Sequence, residues 1–121
     1  MTIAEIVNIL SAKVISGEDL LSRDVHSACG SDLMSDVLAF VKDQSVLVTG
    51  LTNAQAIRTA EMMDIVCIVL VRGKNADGGM IELAKDRSVA VLQTQHSMFT
   101  ACGLLYERGL RGGGKEHAKK S

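Results

Sequence analysis

Tryptophan and proline are absent from this 121-residue chain, and only Phe40, Phe99 and Tyr106 are aromatic. The core must therefore be aliphatic, with methionine as filler. So few aromatics also leave no row of stacking platforms for single-stranded nucleic acid. No apolar run approaches the ~18–20 residues of a membrane helix. The N-terminus carries neither a basic region nor a signal-peptide core. The three cysteines, Cys29, Cys67 and Cys102, are odd in number, widely spaced and free of any C-x-x-C pair. That pattern points to a reducing cytoplasm and no disulfide framework. H-x-x-x-H and H-E-x-x-H are missing too, so neither a metal nor a cofactor is expected.

Charge is sparse but uneven. The net charge is −1, yet the last eleven residues alone carry +3 through Arg111, Lys115, Lys119 and Lys120 against Glu116. The mildly acidic body gives no electrostatic footprint for DNA or RNA. A Gly- and Lys-rich end of this kind reads as a disordered tail over 111–121. Residues 1–110 then form one domain, long enough to bury a core and without internal linker or repeat.

What is present is a β-to-α alternation. Ser45–Thr49, Ile65–Val71 and Val89–Leu92 are near-continuous Val/Ile/Leu runs, each ending in a polar, helix-starting turn. Such runs separated by helical stretches predict a parallel sheet covered on both faces. Every β-to-α turn then falls on the carboxyl edge, where ligands sit in such folds. Upstream, Thr2 and Glu5 make a capping box for a helix carrying Ile3, Ile6, Val7 and Leu10. Lys13–Ser16 and Asp24–Cys29 read as further strands. Ser31 or Asp32 is expected to cap a helix with Leu33, Val37 and Phe40 on one face and Met34, Leu38 and Val41 on the next. Thr52 is expected to cap a helix to about Met63 that turns Ala56, Ile57, Ala60 and Met63 to the sheet. Asp77-Gly78-Gly79 opens the helix of Met80, Leu83 and Ala84. The last helix, about Ser97 to Arg108, is expected to place Met98, Phe99, Cys102, Leu105 and Tyr106 inward and to stop at Gly109.

The turns supply the candidate site. Thr49-Gly50-Leu51-Thr52-Asn53 offers a tight turn and free backbone N–H groups, a setting that attracts phosphate or carboxylate. Arg72-Gly73-Lys74 follows the most apolar strand and adds two cations about one strand spacing away. Thr94 lies on the third turn. Asp24, His26, Asp32 and Asp36 cluster in sequence around the second strand and second helix, which leaves an acid–base site open. His96 reads as a helix-start residue, and Cys67 and Cys102 as core.

Several segments resemble the DRTGG domain family. These are Leu21-Ser22-Arg23-Asp24-Val25, the stretch Gly30-Ser31-Asp32-Leu33-Met34-Ser35-Asp36-Val37-Leu38, and Val46–Asn53 with Arg72-Gly73-Lys74. The opening helix followed by Lys13–Glu18 fits as well, so the resemblance covers roughly residues 1–110. It implies a three-layer α/β/α domain around a mixed, mostly parallel sheet of about 4–5 strands, related to the N-terminal domains of HPr kinase/phosphorylase and of Mur ligases. Family members stand beside CBS domains and in regulated pyrophosphatases, as regulatory or dimerising modules. This chain has no contiguous Asp-Arg-Thr-Gly-Gly string; the corresponding stretch is Arg23–Gly30. The match singles out Asp32, Ser35 and Asp36 without naming their ligand.

The expectation is therefore a non-catalytic regulatory or interaction module. It would be a homodimer that senses a small anionic metabolite or nucleotide, or docks on a larger enzyme. Thr49, Gly50, Thr52, Asn53, Arg72, Gly73, Lys74, Thr94, Ser35 and Asp36 are its candidate ligand contacts. A small hydrolase or phosphotransferase using Asp24, His26 and Asp36, and a purely structural dimeriser, stay open beside it.

Overall fold

The computed structural model describes residues 1–40 and 43–113; Val41 and the expected tail from residue 114 onward, with His117, lie outside the described residues. Along the chain come α1 (Ile3–Leu10), β1 (Lys13–Ser16), a 3-10 turn (Glu18–Leu20), β2 (Ser27–Gly30) and α2 (Met34–Val37). Then follow β3 (Ser45–Thr49), α3 (Ala54–Met62), β4 (Ile65–Leu70), α4 (Gly78–Arg87), β5 (Ala90–Gln93) and α5 (Met98–Glu107). The five strands form one sheet in the order β1-β5-β4-β3-β2. β2, β3, β4 and β5 are parallel, and β1 alone runs antiparallel, against β5. Strand alternation sorts the side chains to two faces. Leu47, Ile68, Leu70 and Val91 pack under α2, α3 and α4. Val46, Val48, Val69 and Leu92 pack under α1 and α5. The core is aliphatic, as the composition requires.

Helix boundaries follow the capping residues. Thr2 and Glu5 form the expected box at α1. Asp77 caps α4 and Ser97 caps α5, accepting from Met80 N–H and Thr100 N–H. Three expectations need correction. Asn53, not Thr52, caps α3, because its Oδ1 accepts from Gln55 N–H at 3.0 Å. The helix expected after Asp32 is only the single turn Met34–Val37, and neither Ser31 nor Asp32 caps it. Ser31 instead closes a local turn onto Leu33 N–H, and Leu33, Leu38 and Phe40 are exposed. On α5, Ala101 and Leu105 are buried, whereas Phe99 and Tyr106 face outward. The inward stripe is 98-101-102-105, at the i, i+3, i+4, i+7 spacing, and positions 99 and 106 stand one residue off it.

The order of the strands fixes where a crevice opens. α2, α3 and α4 each carry the chain one strand along on the same face. α5 leaves β5 for the other face and crosses back over β3 and β2. The loops after β4 and β5 therefore part to opposite sides of the sheet, the arrangement that makes a crevice at the carboxyl edge of a parallel sheet.

Candidate functional site

Four strand exits gather on this rim. At the β3 exit, the turn that offers free N–H groups is met by the chain's own carboxylate. Asp32, two residues past β2, accepts from Gly50 N–H at 2.6 Å and from the Thr49 hydroxyl at 3.2 Å through the same oxygen, Oδ1. The Thr49 hydroxyl in turn accepts from Leu51 N–H at 3.1 Å. A Cβ at position 50 would stand 3.2 Å from Asp32 Oδ1 and 3.3 Å from Lys74 Nζ, so a side chain there would push both charged groups aside by a few tenths of an ångström. Lys74 thus reaches over the same turn.

The β4 exit is held in a costly backbone conformation. Arg72 has a φ of 53°, a left-handed setting worth about 1–2 kcal/mol against a non-glycine residue. Hydrogen bonds to the neighbouring exit hold it there. Arg72 N–H donates to His96 O and Gly73 N–H to Thr94 O, both at 2.8 Å. Gln93 Nε2 donates to Gly73 O, Lys74 O and Asn75 Oδ1. Gly73 is itself left-handed, and a Cβ there would lie 2.7 Å from Gln95 Oε1. The backbone is pinned while the Arg72 and Lys74 residues stay exposed.

At the β5 exit, Thr94 is buried, and its hydroxyl donates to Leu10 O at 2.8 Å, tying the rim to α1. α5 begins at once, and its first turn leaves backbone N–H groups without helical partners. Between the exits lies an open groove of about 270 Å³, walled by Asp32, Val71, Arg72, Ser97, Met98 and Phe99. Phe99 is 88% exposed there, the most exposed large apolar side chain described.

The rim therefore gathers Thr49, Gly50, Arg72, Gly73, Lys74 and Thr94. Thr52 lies on the β3–α3 loop, where its carbonyl accepts from Asp77 N–H, and Asn53 is occupied as the α3 cap. Ser35 and Asp36 are exposed on α2, outside the groove wall. Asp24 and His26 precede β2, at the sheet's amino edge, with His26 Nδ1 3.4 Å from Asp43. Asp36 follows the other end of that strand. Among the described residues no three His, Cys, Asp or Glu side chains converge on a metal-sized point.

The thiols are not poised as nucleophiles. Burial, with a smaller contribution from the neighbouring Cys102, pushes Cys29 up to about 11. Burial raises Cys67 and Cys102 as well. No described helix is long and apolar enough to cross a membrane.

Comparison with known proteins places this geometry in a family. Residues 5–107 match the family model described as the DRTGG domain. No curated protein matches. A similar solved structure is the crystal structure of the CBS and DRTGG domains of the regulatory region of Clostridium perfringens pyrophosphatase, complexed with the activator diadenosine tetraphosphate. The likeness has a TM-score of 0.70 at 21% identity, over 86% of this chain and 45% of that one. The likeness shows a shared fold, and this chain spans less than half of that region. The chain belongs to the DRTGG domain family.

Proposed function

We propose that this DRTGG domain works as a regulatory module, binding a small anionic ligand in the rim groove and passing its occupancy to a partner protein. The observation that carries the reading is the β4 exit. An arginine is held left-handed by hydrogen bonds to the β5 exit, so its side chain leaves a fixed backbone at the wall of a crevice between diverging loops, with Lys74 over the neighbouring β3 turn. Cations carried on a fixed backbone at such a crevice suit phosphate, which arginine takes through two parallel N–H donors. The regulatory role is supported by the family and by the likeness to a regulatory region whose activator is a phosphate-rich dinucleotide.

A homodimer or a larger enzyme is the partner this reading calls for. Exposed Phe40 and Tyr106 flank β2 around a second groove, of about 280 Å³, that includes Ala28, Cys102 and Arg111. That flank adjoins α5, so a ligand held at the first turn of α5 has a direct route to it. Sedimentation at micromolar concentration checks the dimer, and a strictly monomeric profile removes it.

The ligand site is tested by thermal shift with a phosphate-bearing panel that includes inorganic tripolyphosphate and ATP. A probe at a hundred times its Kd adds about 2.7 kcal/mol, a rise of roughly 10 °C at this chain length. The expected result is such a rise with at least one probe, lost in Arg72→Ala/Lys74→Ala. No rise with any probe, or the same rise in the variant, overturns the reading.

A further inference from the structure

We infer that the groove is built for a ribonucleoside phosphate and not for a bare polyanion, an inference that rests on the anion-site reading above. Three different chemistries wall one cavity of about 270 Å³. Arg72 supplies the cation. Phe99 supplies a flat apolar face, next to Met98 and Val71. Asp32 supplies a carboxylate whose Oδ1 is taken by Gly50 N–H and the Thr49 hydroxyl, while Oδ2 accepts nothing among the described residues.

Each group argues against a simpler ligand. A phosphate or polyphosphate alone satisfies Arg72 but faces the Asp32 charge with its own. A carboxylate with a free oxygen instead takes hydroxyl donors, as a ribose diol provides. A phenylalanine 88% exposed in a chain with three aromatics forfeits the burial that its sequence neighbours Ala101 and Leu105 obtain. On a groove wall, its ring is a stacking surface for a base. The volume is close to the lower bound of about 300 Å³ for small-molecule sites, which fits a mononucleotide left partly in solvent. Base on Phe99, ribose hydroxyls on Asp32 and phosphate on Arg72 place each part of one ligand against the group that suits it.

Calorimetric titration of the full chain with ATP, 2′,3′-dideoxy-ATP and tripolyphosphate tests this. ATP is expected to bind at least tenfold tighter than tripolyphosphate, in keeping with roughly 1–3 kcal/mol for one base stacked on an aromatic ring. Dideoxy-ATP is expected to bind several-fold more weakly than ATP. Phe99→Ala, at a position too exposed to threaten folding, should weaken ATP by about tenfold, leaving only the several-fold ribose contribution over tripolyphosphate, and leave tripolyphosphate unchanged. Asp32→Asn should weaken ATP and strengthen tripolyphosphate. Equal affinity for ATP and tripolyphosphate, or ATP binding unaltered by Phe99→Ala, overturns the nucleotide inference while the anion site stands. Binding of none of the three overturns both.

Discussion

Replacing Asp32 by alanine separates a rim held together from within from one that only happens to be close-packed. The substitution removes the acceptor of the buried Gly50 N–H, at 2.6 Å, and of the Thr49 hydroxyl, at 3.2 Å. Both bonds run to the same charged acceptor, for which about 1.5–3 kcal/mol is typical, the 3.2 Å one falling at or below the low end. Asp32 is itself exposed, so water takes over part of the loss, and a net cost of about 2 kcal/mol is expected. At roughly 4 °C per kcal/mol for a chain of this length, that lowers Tm by about 8 °C. Urea unfolding followed by circular dichroism measures it, with an unchanged m-value showing that the unfolded state is not the cause. Asp32→Asn keeps an uncharged acceptor in place and should lose about half as much. In a double-mutant cycle, Thr49→Val should couple to Asp32→Ala by at least ~0.5 kcal/mol. An Asp32→Ala protein within ~0.3 kcal/mol of the parent, or an Asn variant as damaged as the Ala one, would refute the reasoning.

The glycines divide sharply. Gly17 has a φ of 96°, and a Cβ there would stand 2.9 Å from the Ala90 backbone. Gly17→Ala should cost about 3 kcal/mol in urea unfolding. Gly103, within α5, meets nothing within 4 Å, and Gly103→Ala should stabilise by about 1 kcal/mol. Ser88 ends α4 with a φ of 56°; Ser88→Gly should add about 1 kcal/mol, raising Tm by some 4 °C in calorimetry. Cys29 is protonated up to about pH 11 in the fold, against an ordinary value of 9.0. The unfolded chain therefore releases this proton first. Stability is intact below pH 9 and falls between 9 and 11, by up to about 1.4 kcal/mol per pH unit. Unfolding curves at pH 8, 9.5 and 10.5 should show a shallower decline in Cys29→Ser; identical declines would contradict this.

Much of the architecture was readable because its signals are local. The Val/Ile/Leu runs after residue 45 are short, β-branched and bounded by polar or glycine turns, which is the pattern of strands buried on both faces. The capping box at Thr2 and Glu5, the helix start at Asp77 and the stop at Gly109 are chemistry of adjacent residues. The parallel exits near 49, 71 and 92 do share one rim, as those runs implied. β1, antiparallel, follows the expectation of a mixed sheet. What was hidden depends on distant residues. Asp32 looks like a cap for its own helix, but its carboxylate is drawn to Gly50 N–H, 18 positions away. Without that cap the helix shrinks to one turn. Thr52 and Asn53 are both competent caps, and only the backbone path chooses Asn53. Phe99, Cys102 and Tyr106 make an apolar stripe at i, i+3, i+7 that adjoins 98-101-102-105, so the helical period admits both. Packing of α5 over β2 and β3 selects the 98-101-102-105 stripe and leaves Phe99 on the rim.

The most direct test of the rim site is a backbone amide NMR titration of the full chain with ATP. Shifts confined to Asp32, Gly50, Arg72–Lys74 and Ser97–Phe99, saturating together, are expected. Shifts that gather instead at the sheet's amino edge, around Gly17 and Ser88, or an unchanged spectrum at millimolar ATP, would contradict it.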